Sequence, residues 1–128
     1  MKSERVNRLA TKSGSRSNAP DRGDIVVLTF DPQAGHEQAG RRPAVVLSPA
    51  IYNSRSGLAV FAPITNQIKG YPFEVQIPPG VPVSGVVLAD QLKSLDWHAR
   101  KAHHITRIPS HVLREVLHKA ALLLAPAG

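Results

Sequence analysis

Apolar residues fall in short runs separated by polar, Gly- and Pro-bearing stretches, and the runs predict strands. Asp24–Phe30 (DIVVLTF) is rich in β-branched residues and stops at Asp31-Pro32. Pro32–Arg41 shows no apolar periodicity and predicts a long loop. Pro43–Ser48 (PAVVLS) is a second strand, stopped at Pro49, and Tyr52–Gly57 predicts a turn. Leu58–Ile64 (LAVFAPI) is a third strand, with Pro63 demoting its end to an edge or a bulge. Phe73–Ile77 (FEVQI) alternates apolar and polar, as a half-buried strand does. Ser84–Leu88 (SGVVL) is a fifth strand, and a last short one is expected near His104–Ile108.

The C-terminal pattern has a different period. Val112, Leu113, Val116, Leu117, Ala120, Leu123 and Leu124 recur at helical spacing behind Ser110, an N-cap residue type, and predict an amphipathic helix over Ser110–Leu124. A shorter helix is expected near Leu92–Arg100. Five or six short strands with frequent turns and one terminal helix make a mainly β protein, most simply a small barrel with the helix packed on it. The sequence has no internal repeat.

Length and composition narrow this further. A chain of 128 residues with 42% hydrophobic positions suits one compact domain. Lys and Arg outnumber Asp and Glu by 16 to 9, a net charge of +7, which favours a polyanionic partner. Residues 1–20 hold five basic side chains (Lys2, Arg5, Arg8, Lys12, Arg16) against Glu4 alone, so much of that charge sits in a Ser/Arg/Asn-rich leader. The leader reads as a mobile basic extension, solvated or touching phosphates, with the domain proper over 21–128. Cysteine is absent, which excludes disulfides and thiol chemistry and suits a reducing cytoplasm. There is no apolar run near the ~20 residues of a membrane span and no signal-type N-terminus.

Familiar catalytic signatures are missing. The sequence has no GxxxxGK[ST] or GxGxxG loop, no HExxH and no GxSxG. His103 and His104 are adjacent, so in a strand they face opposite ways. Neither a metal nor any other cofactor is called for. What remains is polar residues at strand ends: Gly35-His36-Glu37-Gln38 and Arg41-Arg42 before the second strand, Thr65-Asn66-Gln67 after the third, Lys69-Gly70-Tyr71 beyond it, and Asp90-Gln91 after the fifth. On one rim, guanidinium, hydroxyl, imidazole and carboxylate together suit a phosphodiester substrate.

Those residues carry a family resemblance. Gly23-Asp24-Ile25-Val26-Val27, Phe30-Asp31-Pro32, Gly35-His36-Glu37-Gln38-Ala39-Gly40 and Arg42-Pro43-Ala44-Val45-Val46-Leu47-Ser48-Pro49 resemble the MazF/PemK (Kid) family of toxin endoribonucleases. Tyr52-Asn53, Pro63-Ile64-Thr65, Lys69-Gly70-Tyr71-Pro72-Phe73-Glu74-Val75 and Leu88-Ala89-Asp90-Gln91-Leu92-Lys93-Ser94 continue it in order, nearest to the MazF branch. The resemblance covers residues 21–128. It implies an SH3-like small β-barrel of the PemK/CcdB type and a homodimer. It also implies metal-independent, sequence-specific cleavage of single-stranded RNA, usually mRNA, to 2′,3′-cyclic phosphate and 5′-hydroxyl ends. The implied partner is a cognate MazE-like antitoxin whose acidic C-terminal segment inhibits the toxin.

By the same resemblance, Arg42 contacts the scissile phosphate and assists proton transfer, and the Thr65 hydroxyl stabilises the phosphorane-like transition state. An arginine is a poor base, so its electrostatic role carries more weight. His36 and Asp90 match two positions of the triad ascribed to PemK-type members, but Leu88 stands where that scheme has an arginine. His36, Glu37 and Asp90 are therefore candidates for a catalytic or orienting role, and Arg41, Asn66, Gln67, Lys69, Tyr71 and Phe73 for RNA binding.

Each has a plainer alternative. Arg42 could pair with Glu37 or Asp31, Thr65 could cap a turn, Asp90 could anchor a loop, and His36 could only line the groove. Glu37 is either an orienter of Arg42 or a base contact. Lys69 is a phosphate clamp or a solvated side chain, and Phe73 stacks a base or fills the core. Tyr52 and Trp97 suit packing or a dimer interface. Two other functions remain open on the sequence: a non-catalytic toxin, similar to CcdB, that binds a protein, and a nucleic-acid-binding module without catalysis.

Overall fold

The computed structural model describes residues 18–30 and 40–126. The basic extension over 1–17 and most of the loop after the first strand, with His36 and Glu37, lie outside the described residues. The strands are β1 (Asp24–Thr29), β2 (Arg41–Val46), β3 (Leu58–Thr65), β4 (Glu74–Gln76), β5 (Val86–Leu88), β6 (Lys93–Asp96) and β7 (His103–Arg107). Helix α1 (Ala50–Ser56) lies between β2 and β3, and α2 (Ser110–Leu124) ends the fold. The strands run in the order β4-β5-β3-β2-β1-β7, every pairing antiparallel, with β6 also paired to β3.

β3 organises this arrangement. Phe61 pairs with Val46 of β2 and, on the opposite edge, with Lys93 of β6. Beyond it, Ile64 and Thr65 pair instead with Val87 and Val86 of β5. The expected barrel is not closed by a strand pair, since β4 and β7 are the two ends of the path. The observed fold is a mainly β antiparallel sheet with a C-terminal helix.

The apolar strands bury both faces, which is why DIVVLT reads as a continuous run rather than an alternation. One core gathers Ile25, Val45, Ala62, Ile64, Val75 and Val87 under Val112 and Val116 of α2. The other gathers Val26, Leu28, Ala44, Val46, Ala59 and Phe61 with Trp97. α2 has the bounds that its periodicity predicts. No helix among the described residues is long and apolar enough to cross a membrane.

Three local expectations are corrected. Tyr52–Gly57 is not a turn but most of α1, closed by Gly57 in the left-handed conformation (φ 77°), whose N–H reaches the Asn53 carbonyl. The Asp21 carboxylate accepts the Ala50 N–H at 2.8 Å and so caps the helix from a distant segment. The expected helix near Leu92–Arg100 is instead β6 followed by turns. Pairing with the free edge of β3 outweighs local helix preference, and Asp96 Oδ1 ends the strand by accepting the His98 and Ala99 N–H groups. β2 also begins at Arg41, two residues before Pro43, because Arg41 and Arg42 pair with Thr29 and Leu28 of β1.

Asn53 joins these pieces. Its side chain is fully buried and fully satisfied. Ser48 Oγ donates to its Oδ1 at 2.6 Å, and its Nδ2 donates to the Pro20 and Ser48 carbonyls at 2.7 and 2.9 Å. Its own carbonyl accepts the Trp97 indole N–H at 2.9 Å, which gives Trp97 a packing role.

Candidate active site

Alternation along the strands decides which side chains meet. Phe30, Arg42, Pro63 and Thr65 share the sheet face of Leu28, Ala44 and Phe61, beyond the point where that core gives out. Antiparallel pairing brings the end of β1, the start of β2 and the end of β3 to one rim. A cavity of about 700 Å³ opens there. Its walls are completed by Gln67, Lys69 and Tyr71 from the β3–β4 connection, by Glu74 of β4 and Leu88 of β5, and by Gln91 and Lys93. Three cations against one carboxylate give it a net positive lining.

Arg42 is exposed on this wall, and among the described residues no group holds its guanidinium. Pro43 follows it and favours an extended backbone, which the β2 pairing enforces. The start of β2 is tied down on the other face. Arg41 donates to the Val27 and Lys101 carbonyls at 3.2 and 2.9 Å, to Thr29 Oγ1 at 3.2 Å and to the Arg100 carbonyl at 3.4 Å. Arg100 in turn donates to the Thr29 and Phe30 carbonyls. Arg41 thus lies away from the cavity and braces the strand that presents Arg42.

Thr65 is half-buried at the end of β3. Its Oγ1 accepts the Gln67 N–H at 3.1 Å, so it does cap a turn. That bond uses a lone pair and leaves the hydroxyl proton to be donated into the cavity. The backbone of Thr65 is approached closely by Gly85, which has φ 115°; a Cβ there would lie 2.3 Å from the Thr65 carbonyl oxygen. We expect Gly85→Ala to cost at least ~2 kcal/mol in chemical denaturation and to reduce any activity that depends on Thr65. Unchanged stability would mean that this contact does not fix Thr65.

Lys69 stands 6.0 Å from the Tyr71 ring centroid, so cation and aromatic ring sit together on the wall. Other sequence candidates are not brought to the cavity. Asn66 is exposed, and its Oδ1 accepts the Ser84 hydroxyl at 3.1 Å. Phe73 is half-buried outside the lining, its carbonyl accepting the Ala89 N–H. Asp90 is exposed and makes no side-chain hydrogen bond among the described residues. The structure adds Phe30, Glu74 and Lys93, which sequence reasoning did not place in the site. The expected helix over 92–100 concealed Lys93, whereas a strand places it beside Phe61 on the neighbouring edge.

A family model described as "PemK-like, MazF-like toxin of type II toxin-antitoxin system" matches residues 21–124. The chain belongs to this family. The resemblance read from the sequence therefore holds. The chain is 55% identical over 83 residues to the endoribonuclease toxin MazF of Escherichia coli (strain K12), covering 65% of this chain and 74% of that protein. Its fold matches a crystal structure of MazF from Deinococcus radiodurans with a TM-score of 0.76 at 56% identity, over 83% of this chain and 96% of that one. A MazE-MazF crystal structure from the same organism matches with a TM-score of 0.78 at 51% identity, over 85% and 99%. In this MazF-type toxin, the wall formed by β2 and the end of β3 carries the two residues that the family resemblance names, Arg42 and Thr65.

Proposed function

We propose that this MazF-type endoribonuclease toxin cuts single-stranded RNA in the cavity between Arg42, Thr65 and Lys69. The observation that carries the reading is the meeting, in one cationic cavity, of a guanidinium that no group among the described residues holds and a proton-bearing hydroxyl. Arg42 would neutralise the non-bridging oxygens of the scissile phosphate and aid proton transfer, with charge stabilisation its main contribution. Thr65 would donate a hydrogen bond from its hydroxyl to an oxygen of the developing phosphorane, keeping its own proton. Attack by the ribose 2′-hydroxyl expels the 5′-oxygen of the next nucleotide, so the products are a 2′,3′-cyclic phosphate and a 5′-hydroxyl. No metal enters this scheme. Lys69 serves as a phosphate clamp, Tyr71 as a stacking surface and Gln67 as a polar contact to the RNA. A role for His36, Glu37 or Asp90 in orientation or proton transfer is part of the same proposal.

The partners follow from the family. The MazE-MazF structures are the basis for proposing a MazE-like antitoxin whose acidic segment occupies the cationic cavity, and a homodimer is the proposed working form. We place the protein in the cytoplasm, where mRNA is available. In fold class we assign it to the SH3-like, PemK/CcdB-type barrels, which the two sets of partners along β3 support. We take residues 21–128 as one toxin domain after a basic extension over 1–20, a division supported by the family match at 21–124.

The test is incubation of the purified protein with a long in vitro transcript in EDTA, followed by mapping of both new ends. We expect discrete cuts with cyclic phosphate and 5′-hydroxyl termini. An intact transcript would favour a protein-directed toxin or a pure RNA binder. Cleavage that appears only with added divalent metal would overturn the metal-free scheme.

A further inference from the structure

A carboxylate on the wall of a cavity that receives a polyanion is a liability, because it repels the substrate. Glu74 is such a group, alone among the described lining residues. Its two oxygens have specific partners: Oε2 accepts the Lys69 N–H at 3.0 Å and Oε1 accepts the Gly70 N–H at 2.9 Å. Two consecutive amides thus meet the two oxygens of one carboxylate, and such charge-assisted bonds are stronger than neutral ones. Gly70 adopts φ 82°, a backbone that an L side chain disfavours. The turn is closed further by the Glu74 N–H, which donates to the Tyr71 carbonyl at 3.1 Å.

The segment held this way presents Lys69 and Tyr71 to the cavity on either side of Gly70. The carboxylate is itself anchored. Glu74 pairs with Leu88 in β4–β5, and Lys119 of α2 donates to the Pro72 carbonyl and, at 3.4 Å, to that of Glu74. An exposed connection whose side chains must meet RNA is thereby tied to the sheet and to the terminal helix.

We propose that Glu74 is a positioning residue of the ribonuclease, its carboxylate clamping the Lys69 and Gly70 amides so that Lys69 and Tyr71 face Arg42 and Thr65 across the cavity. The proposal rests on reading that cavity as the RNA cleft. Glu74 does not touch the reacting atoms. Its removal acts on substrate binding through Lys69 and Tyr71, and so raises KM more than it lowers kcat.

The experiment is a mutant cycle on a short single-stranded RNA spanning one mapped cut. Glu74→Ala should raise KM about tenfold, in the range for displaced binding groups, with a smaller loss in kcat. In the Lys69→Ala/Tyr71→Ala background the same change should move KM by less than about twofold, because the groups it positions are gone. Glu74→Gln retains one acceptor oxygen and should fall between wild type and Glu74→Ala. Gly70→Ala tests the clamp independently: a Cβ there meets nothing within 4 Å, so its effect comes from backbone strain alone, and it should reproduce the KM increase. Thermal melts establish that each variant is folded; if Glu74→Ala is not, Gly70→Ala and Glu74→Gln decide. An undiminished Glu74 effect in the double-variant background, or an unchanged KM in the folded single variants, overturns the positioning role. Wild-type cleavage by Arg42→Ala and Thr65→Ala would instead overturn the cleft reading, and this proposal with it.

Discussion

Arg42→Ala should lower the single-turnover rate of RNA cleavage by ~10²–10³, or ~2.7–4 kcal/mol, the usual cost of removing one preorganised donor to a developing oxyanion. Fold and assembly should be untouched, because Arg42 is exposed and no group among the described residues depends on its guanidinium. Arg42→Lys should rescue poorly, since an ammonium cannot reproduce the planar fork. The informative control is its neighbour. Arg41 carries the same charge one residue earlier, but its guanidinium is spent on Val27, Thr29, Arg100 and Lys101. Arg41→Ala should therefore lose about tenfold or less in rate and show its main effect as a lower melting temperature. Equal losses for the two variants, or near-normal cleavage by Arg42→Ala, would remove Arg42 from the reaction.

Asn53→Ala should have the largest effect on stability without a matching effect on chemistry. The truncation removes the acceptor of the Ser48 hydroxyl proton, whose oxygen keeps only the Val60 N–H, and the Nδ2 donor to the carbonyls of Pro20 and Ser48 in the interior. Each unsatisfied buried group costs ~1–3 kcal/mol, so a total of about 3 kcal/mol or more is expected. For a domain of this size that lowers the melting midpoint by more than about 10 °C. Asn53 does not line the cavity, and well below the transition the cleavage rate should stay within about twofold of wild type. A shift of only a few degrees would mean that water or relaxation replaces the lost bonds.

These two residues also mark what the sequence made legible. That Arg42 and Thr65 would meet on one rim was legible because strand-end position is local, and β2 and β3 have the bounds that local pattern requires to within two residues. Ser110–Leu124 was legible because a single buried face repeats at helical period. The helix at Asn53 was not, because YNSRS contains few strong helix formers. It is held by contacts that no local window contains: Asp21 at its first amide, Pro20 on Asn53, and Trp97 on the Asn53 carbonyl. β6 was missed for a related reason, since what decides it is the vacant edge of β3. Glu74 was visible as a member of a matching string, but its role depends on two backbone amides, which sequence does not display.

The order in which the chain is made bears on when this protein becomes active. β1 is flanked by β2, nearby in sequence, and by β7, whose Arg107 bonds Asp24 across 83 residues. At roughly 5–20 residues per second during synthesis, the outer edge of β1 waits several seconds for its partner. The wall at Glu74 is braced later still, by Lys119 near the end of the last helix. A partly made chain therefore has an open sheet edge and an unbraced cleft wall. Such a chain is expected to engage chaperones and proteases rather than to cut RNA. With the cleft used as proposed, RNA cleavage is expected only from chains that extend past Lys119, and a chain stopped before β7 is expected to leave a transcript intact.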